Sequence, residues 1–228
     1  MKLSRELGPD IAVRVLLVAL AGLGLPACKR GTDAGQTTGH PPKRAQITGT
    51  QARAEDALVQ QAADSCRQRI QAAAQEHADN AKRLQEAGVL SMNGVTQREQ
   101  LEARRALVRR FLASNEALKT LLVNEKAGFA AALSKLQVPQ LRIDAELRAF
   151  QSPVQGKAMI FRKREADQRF GDSLLGALNS LDELWGQWNY NKEYDQIQFS
   201  PPGALKKYND FLDAIEAASR EQKDLSAQ

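Results

Sequence analysis

From Thr50 to Ala87 the chain has neither proline nor glycine, and Ala, Gln, Arg and Glu prevail. These are good helix formers, and nothing in the stretch interrupts the backbone hydrogen-bond ladder. Ala54, Leu58, Ala62, Cys66, Ile70, Ala73, His77, Ala81 and Leu84 recur at steps of three and four, the stripe of a helix with one buried face. At 1.5 Å per residue such a helix is ~55 Å long. Its stripe is mostly alanine, so neighbours can approach closely but little area is buried. Gly88 stands where a C′ glycine would end it.

After a loop containing Asn93-Gly94, the spacing of Thr96 and Glu99 predicts a capping box and a second helix to about Gln137. Leu101, Val108, Phe111, Leu118, Leu122, Phe129, Leu133 and Leu136 give it a richer stripe, with Gly128 marking a candidate break. Val138-Pro139 ends it. A short amphipathic piece, residues 140–150, leads to Ser152-Pro153, read as N-cap and N1 of a third helix running to about Trp188. Gly171, Gly176 and Gly186 weaken that helix and permit close approach of a partner. Residues 189–199 break the helical period, and Tyr194 to Phe199 alternate as an extended strand. Ser200-Pro201 then starts a fourth helix to about Leu225. Helix three therefore returns to helix four by an extended crossing, without a tight turn. The expected fold is all-α: an elongated, mainly antiparallel bundle of three or four helices over residues 50–228, with a short extended segment near 189–199. The runner-up is a helical hairpin projecting from a smaller C-terminal bundle.

Ahead of this body lies an eleven-residue apolar run, Val15 to Leu25, preceded by Lys2, Arg5 and Arg14. It is too short for a bilayer, which needs roughly 20 apolar residues, and it fits a signal h-region. The run closes in Leu25-Pro26-Ala27-Cys28, which resembles the lipobox of bacterial lipoproteins, although Pro26 departs from the usual small or β-branched residue. The resemblance implies removal of a signal peptide, residues 1–27, and lipid on Cys28, with Lys29 compatible with delivery to the outer membrane. The rival reading is an ordinary signal peptide, whose A-x-A site Leu25 and Pro26 fit badly. Residues 28–49, rich in Gly, Thr, Pro and charge, read as a disordered tether reaching at most roughly 70 Å.

The net charge of +5 falls to +4 once residues 1–27, with three basic and two acidic side chains, are removed. In an exported protein this excess points to anionic headgroups or an acidic protein partner and away from nucleic acid. With Cys28 carrying lipid, Cys66 is alone, and its place on the inner stripe favours a buried thiol over a bridge between chains.

Little in the sequence suggests chemistry. His40 and His77 lack partners at metal spacing, and His77 on the inner stripe reads as a satisfied core histidine. No catalytic signature motif is present, so no metal and no cofactor is expected beyond the covalent lipid. Asp79/Arg83, Asp144/Arg148, Glu165/Arg169 and Glu216/Arg220 have the spacing of solvated helix pairs. Two basic clusters, Arg104, Arg105, Arg109 and Arg110, and Arg162 to Arg164, are candidate contacts for anionic lipid or an acidic partner, or simply outer helix faces. Seven of the twelve aromatic residues fall within residues 185–211. Of these, Trp185, Trp188, Tyr190, Tyr194, Phe199 and Tyr208 are candidate partner-binding residues, or the cap of the bundle end.

The stretch Ile197 to Gln222, with Ile197, Phe199, Tyr208 and Asn209, faintly resembles the C-terminal part of an uncharacterised family of α-helical bacterial lipoproteins, which implies fold and compartment but no activity. The function expected is that of a lipid-anchored, periplasm-facing envelope protein that binds another envelope or secreted protein as a scaffold or an immunity or inhibitor module. The alternative is a lipid carrier or chaperone with a cavity lined by the aliphatics of helices two and three. An enzyme is the least expected outcome.

Overall fold

The computed structural model describes residues 49–152 and 156–227; the signal segment, Cys28, His40, most of the tether and Pro153 lie outside them. The described chain is six helices and one small sheet, in the order α1 (Gly49–Glu86), α2 (Arg98–Val123), α3 (Glu125–Lys135), α4 (Gln140–Arg148), α5 (Lys157–Glu183), β1 (Trp188–Asn191), β2 (Gln196–Phe199) and α6 (Ala204–Ala227). The protein is therefore mainly all-α. The described residues fall into two compact units, 72–120 with 156–227 and 49–71 with 121–152.

In the four-helix unit, the last part of α1, most of α2, α5 and α6 pack around one apolar core. Polar pairs along these helices act as rulers. Arg98 and Arg105 of α2 reach Asp182, while Asn115 reaches the carbonyl of Arg164, so α2 and α5 are antiparallel. Glu183 pairs with Lys207 and Asp167 with Gln222, so α5 and α6 are antiparallel too. Leu101, Val108, Phe111, Leu174, Leu178 and Leu181, all 0–2 % exposed, form the centre.

Two glycines of α5 set the helix spacing. A methyl at Gly171 would lie 2.5 Å from Leu112 Cδ2 and 2.8 Å from its Cγ, and one at Gly176 would overlap the Phe211 ring. This is the close approach the sequence suggested for both positions. Gly186 lies beyond α5 with φ +80° and faces open space, so it serves a turn instead.

In the three-helix unit, Ala62 of α1 meets Phe129 and Leu133 of α3, Val138, and Ile143 of α4, with Phe150 tilted on Phe129 at 5.6 Å. The α3–α4 corner is tight because Gln137 takes a left-handed φ of +56°. There Val138 N–H donates to Leu133 O and Gln137 N–H to Ser134 O, a Schellman closure. Pro139 then precedes α4, where no helical donor is needed.

Several local expectations shift. The second helix breaks at Asn124, not at Gly128, whose N–H donates to the Asn124 carbonyl at 2.8 Å. The capping carbonyl oxygen comes from Gln100, which accepts from the N–H groups of Thr96 and Gln97, so Gln97 is the N-cap and α2 starts at Arg98. Helix α5 starts at Lys157, and Ser152 Oγ donates to Glu125. The expected extended segment near 189–199 is present, but it is no single crossing: residues 188–199 form an antiparallel hairpin with Trp188 opposite Phe199 and Tyr190 opposite Ile197. Its first strand was hidden because the two tryptophans extend the helical apolar pattern. Pro201 to Gly203 make a turn, with φ +83° at Gly203, before α6 begins at Ala204.

Gly171→Ala should destabilise the protein by about 1–3 kcal/mol, because the methyl would lie 2.5 Å from Leu112 Cδ2 and 3.2 Å from Phe111 Cδ1 and force both side chains to shift. Gly128→Ala meets nothing within 4 Å and should stabilise by about 0.5–1 kcal/mol through helix propensity. Urea unfolding of the two variants beside the parent protein tests both signs.

Candidate functional site

The aromatic end is mostly interior. Trp188 is buried, donates Nε1–H to the Leu181 carbonyl at 2.8 Å and meets Trp185 edge-on at 5.6 Å. Tyr208 is buried against Phe199, and burial pushes its hydroxyl well above the usual range. Tyr190 is half-buried, and its hydroxyl donates to Asp195, a bond that raises its pKa. Tyr194 differs. It is 58 % exposed on the hairpin turn, where Asn191 Oδ1 accepts from the N–H groups of Glu193 and Tyr194 and Asp195 has φ +46°. Of the six aromatic candidates, Trp188 and Tyr208 thus belong to the core, Trp185, Tyr190 and Phe199 are half-buried, and Tyr194 faces solvent.

The arginine cluster of α2 divides the same way. Arg104 donates to the carbonyls of Val89 and Ser91 and fastens the loop after α1. Arg105 bonds Asp182 at 2.7 Å, and Arg98 bonds the same carboxylate. The bond from Arg98 and that from Arg105, against an opposing cost of burial, hold the Asp182 carboxyl below its usual range. Arg109 pairs with Glu102, and Arg109 and Arg110 are exposed. Of the four spaced pairs, Glu216–Arg220 forms at 2.9 Å; Asp79 and Asp144 accept from Gln75 and Gln140, and Arg169 reaches across to Glu221. Cys66 is free and half-buried in the three-helix unit, and burial pushes its thiol up. Among the described residues no group of three His, Cys, Asp or Glu side chains is placed to hold a metal. No described helix is long and apolar enough to cross a membrane. Leu101, Val108, Leu174 and Leu178, the aliphatics a lipid cavity would need, pack in the core.

The densest polar assembly is one that the motif search missed. His77 of α1 is 2 % exposed; its Nε2 lies 3.0 Å from Asp167 Oδ2 and its Nδ1 3.2 Å from Ser114 Oγ. Arg164 Nη2 donates to the same Asp167 oxygen at 2.9 Å, and Gln222 Nε2 to the other at 2.6 Å. The His77 ring also tilts against Phe111 at 4.9 Å. Ser114, His77 and Asp167 therefore stand in the order of a hydrolytic triad. The proton direction argues against relay chemistry, because the Ser114 hydroxyl donates to the Phe111 carbonyl at 2.9 Å and is 5 % exposed. A nucleophile must instead donate to its base and face a substrate. Burial alone would raise the Asp167 carboxyl; the His77 bond and the Arg164 charge outweigh it and hold the group below its usual range. The signal available in the sequence was Ser114-Asn115 interrupting an apolar stripe, with Arg164 and Asp167 on the inner face of the opposite helix.

The chain matches no protein-family model, no curated protein and no solved structure.

Asp167→Asn should cost about 3–5 kcal/mol, since it leaves the Arg164 guanidinium buried without its counter-charge. Asp167→Leu combined with Arg164→Met and His77→Leu should recover most of that loss in urea unfolding. The carboxyl pKa is lower folded than unfolded. Its contribution is therefore complete above the unfolded value of about 4 and is lost as the pH falls through the folded one. Acid titration of stability should show this loss in the parent protein and not in Asp167→Asn.

Proposed function

We propose that the chain is a lipid-anchored, non-catalytic binding protein of the bacterial cell envelope, facing the periplasm and most simply placed in the outer membrane. The observation that carries this reading is Leu25-Pro26-Ala27-Cys28 at the end of an apolar run too short to span a bilayer. The covalent lipid on Cys28 is the membrane contact, and the tether gives the helical body reach. Another envelope or secreted protein is the partner, bound as a scaffold component or as an inhibited toxin or hydrolase. Two features support binding over turnover: the polar groups with chemical potential are spent on one another in the core, and Tyr194 is held outward on a turn that its own hydrogen bonds preorganise. An aromatic presented this way makes a low-entropy anchor.

Replacing Cys28 by serine should abolish acyl labelling and release the chain from the membrane fraction; retention at normal mass would overturn the anchor. Cross-linking in intact cells, followed by solubilisation in detergent, should recover a stoichiometric protein partner. Tyr194→Ala should weaken that partner's binding by about 1–2 kcal/mol. A chain recovered alone would overturn the binding role.

A further inference from the structure

Where Arg162 of α5 faces the last turns of α6, a groove of about 500 Å³ is lined by Arg162, Ala217, Arg220, Glu221, Asp224 and Leu225. That volume is in the range of small-molecule sites. The charges in it are unequal. Arg220 is paired with Glu216 and Glu221 with Arg169. Arg162 and Asp224 have no hydrogen-bond or ion-pair partner among the described residues, so they stand more than 4.0 Å apart across one groove. Exposed Ala217 supplies the apolar surface of the lining, and Leu225, 2 % exposed, lies beneath it as part of the core. Gln222 donates to Asp167 and Arg169 to Glu221, two adjacent ties that hold α6 to α5 beside the groove.

An unspent guanidinium takes a phosphate or carboxylate through paired N–H donors, and an unspent carboxylate takes an ammonium. A second guanidinium lies in the same groove, and Arg220 uses one side of its fork on Glu216. Two guanidiniums suit a tetrahedral phosphodiester, which offers more acceptor directions than a carboxylate. We propose that this groove binds a zwitterionic phosphodiester bearing a primary amine, the headgroup chemistry of an ethanolamine phospholipid, with phosphate on Arg162 and Arg220, ammonium on Asp224 and the glycerol end over Ala217. The proposal rests on the envelope reading for the source of the ligand. It does not depend on the lipid at Cys28, so its failure leaves the Cys28→Ser result untouched.

The test uses the full chain in a non-ionic, phosphate-free detergent, titrated with glycerophosphoethanolamine and followed by backbone and methyl NMR. A soluble headgroup should bind with a Kd on the order of millimolar, with shifts confined to residues around Arg162, Ala217 and Leu225. Arg162→Gln should weaken binding at least about tenfold, and Arg162→Lys should restore only part of it. Asp224→Asn should remove the preference for glycerophosphoethanolamine over glycerophosphocholine. Both positions are exposed, and unchanged circular dichroism confirms that the variants fold. Absence of saturable shifts, tighter binding of a zwitterionic dipeptide, or affinity indifferent to both substitutions would overturn the proposal.

Discussion

The four-helix unit depends on one carboxylate. Asp167 accepts from His77 of α1, Arg164 of α5 and Gln222 of α6, and through His77 it is coupled to Ser114 of α2. An ionised group this deeply buried is costly, and only close donors on more than one side make it tolerable. That requirement gives the network its structural meaning. An apolar stripe lets helices slide and rotate at small cost, whereas donors from α1 and α6 converging on one carboxylate of α5 allow a single register. For α1 the constraint matters most around His77, because its nearest inner neighbours, Ala74 and Ala81, bury little area and Leu84 is its large apolar contact in this core. The imidazole supplies the directional contact that the alanines lack.

Around this polar pin the packing is set by small residues on one side and large ones on the other. Gly171 and Gly176 admit Leu112 and Phe211 against the backbone of α5. Beyond the end of α5, the hairpin folds Trp188 into the core, lays Phe199 against Tyr208 of α6 and spends Trp188 Nε1–H on a helix-end carbonyl. The cost of that arrangement is a turn with a left-handed Asp195, which also leaves Tyr194 in water. Tyr194 on the turn and Arg162 and Asp224 in the groove are among the side chains left outward.

Regular helices were legible because they are local. The proline-free run of α1, the stripe of α2, Gly88 at the helix end and the close-approach glycines of α5 all follow from spacing and backbone chemistry within a few turns. Errors gathered where a local pattern carries two meanings. Trp185 and Trp188 continue a helical stripe and equally open a strand. Ser200-Pro201 resembles a helix start and proves to be a turn. Thr96 and Gln97 compete for one N-cap, and Gln100 accepts from the N–H groups of both while the helix starts at Arg98.

By itself, then, the sequence determined the helical class and the extent of α1, because propensity and periodicity are properties of neighbours along the chain. Only the tertiary structure decided which polar residues meet. His77, Ser114, Asp167 and Gln222 come from four helices, and each looks ordinary where it stands. Their partnership arises from burial, which forces every inner polar group to find a donor or acceptor across the core, and no pattern within a single helix encodes which one it will be.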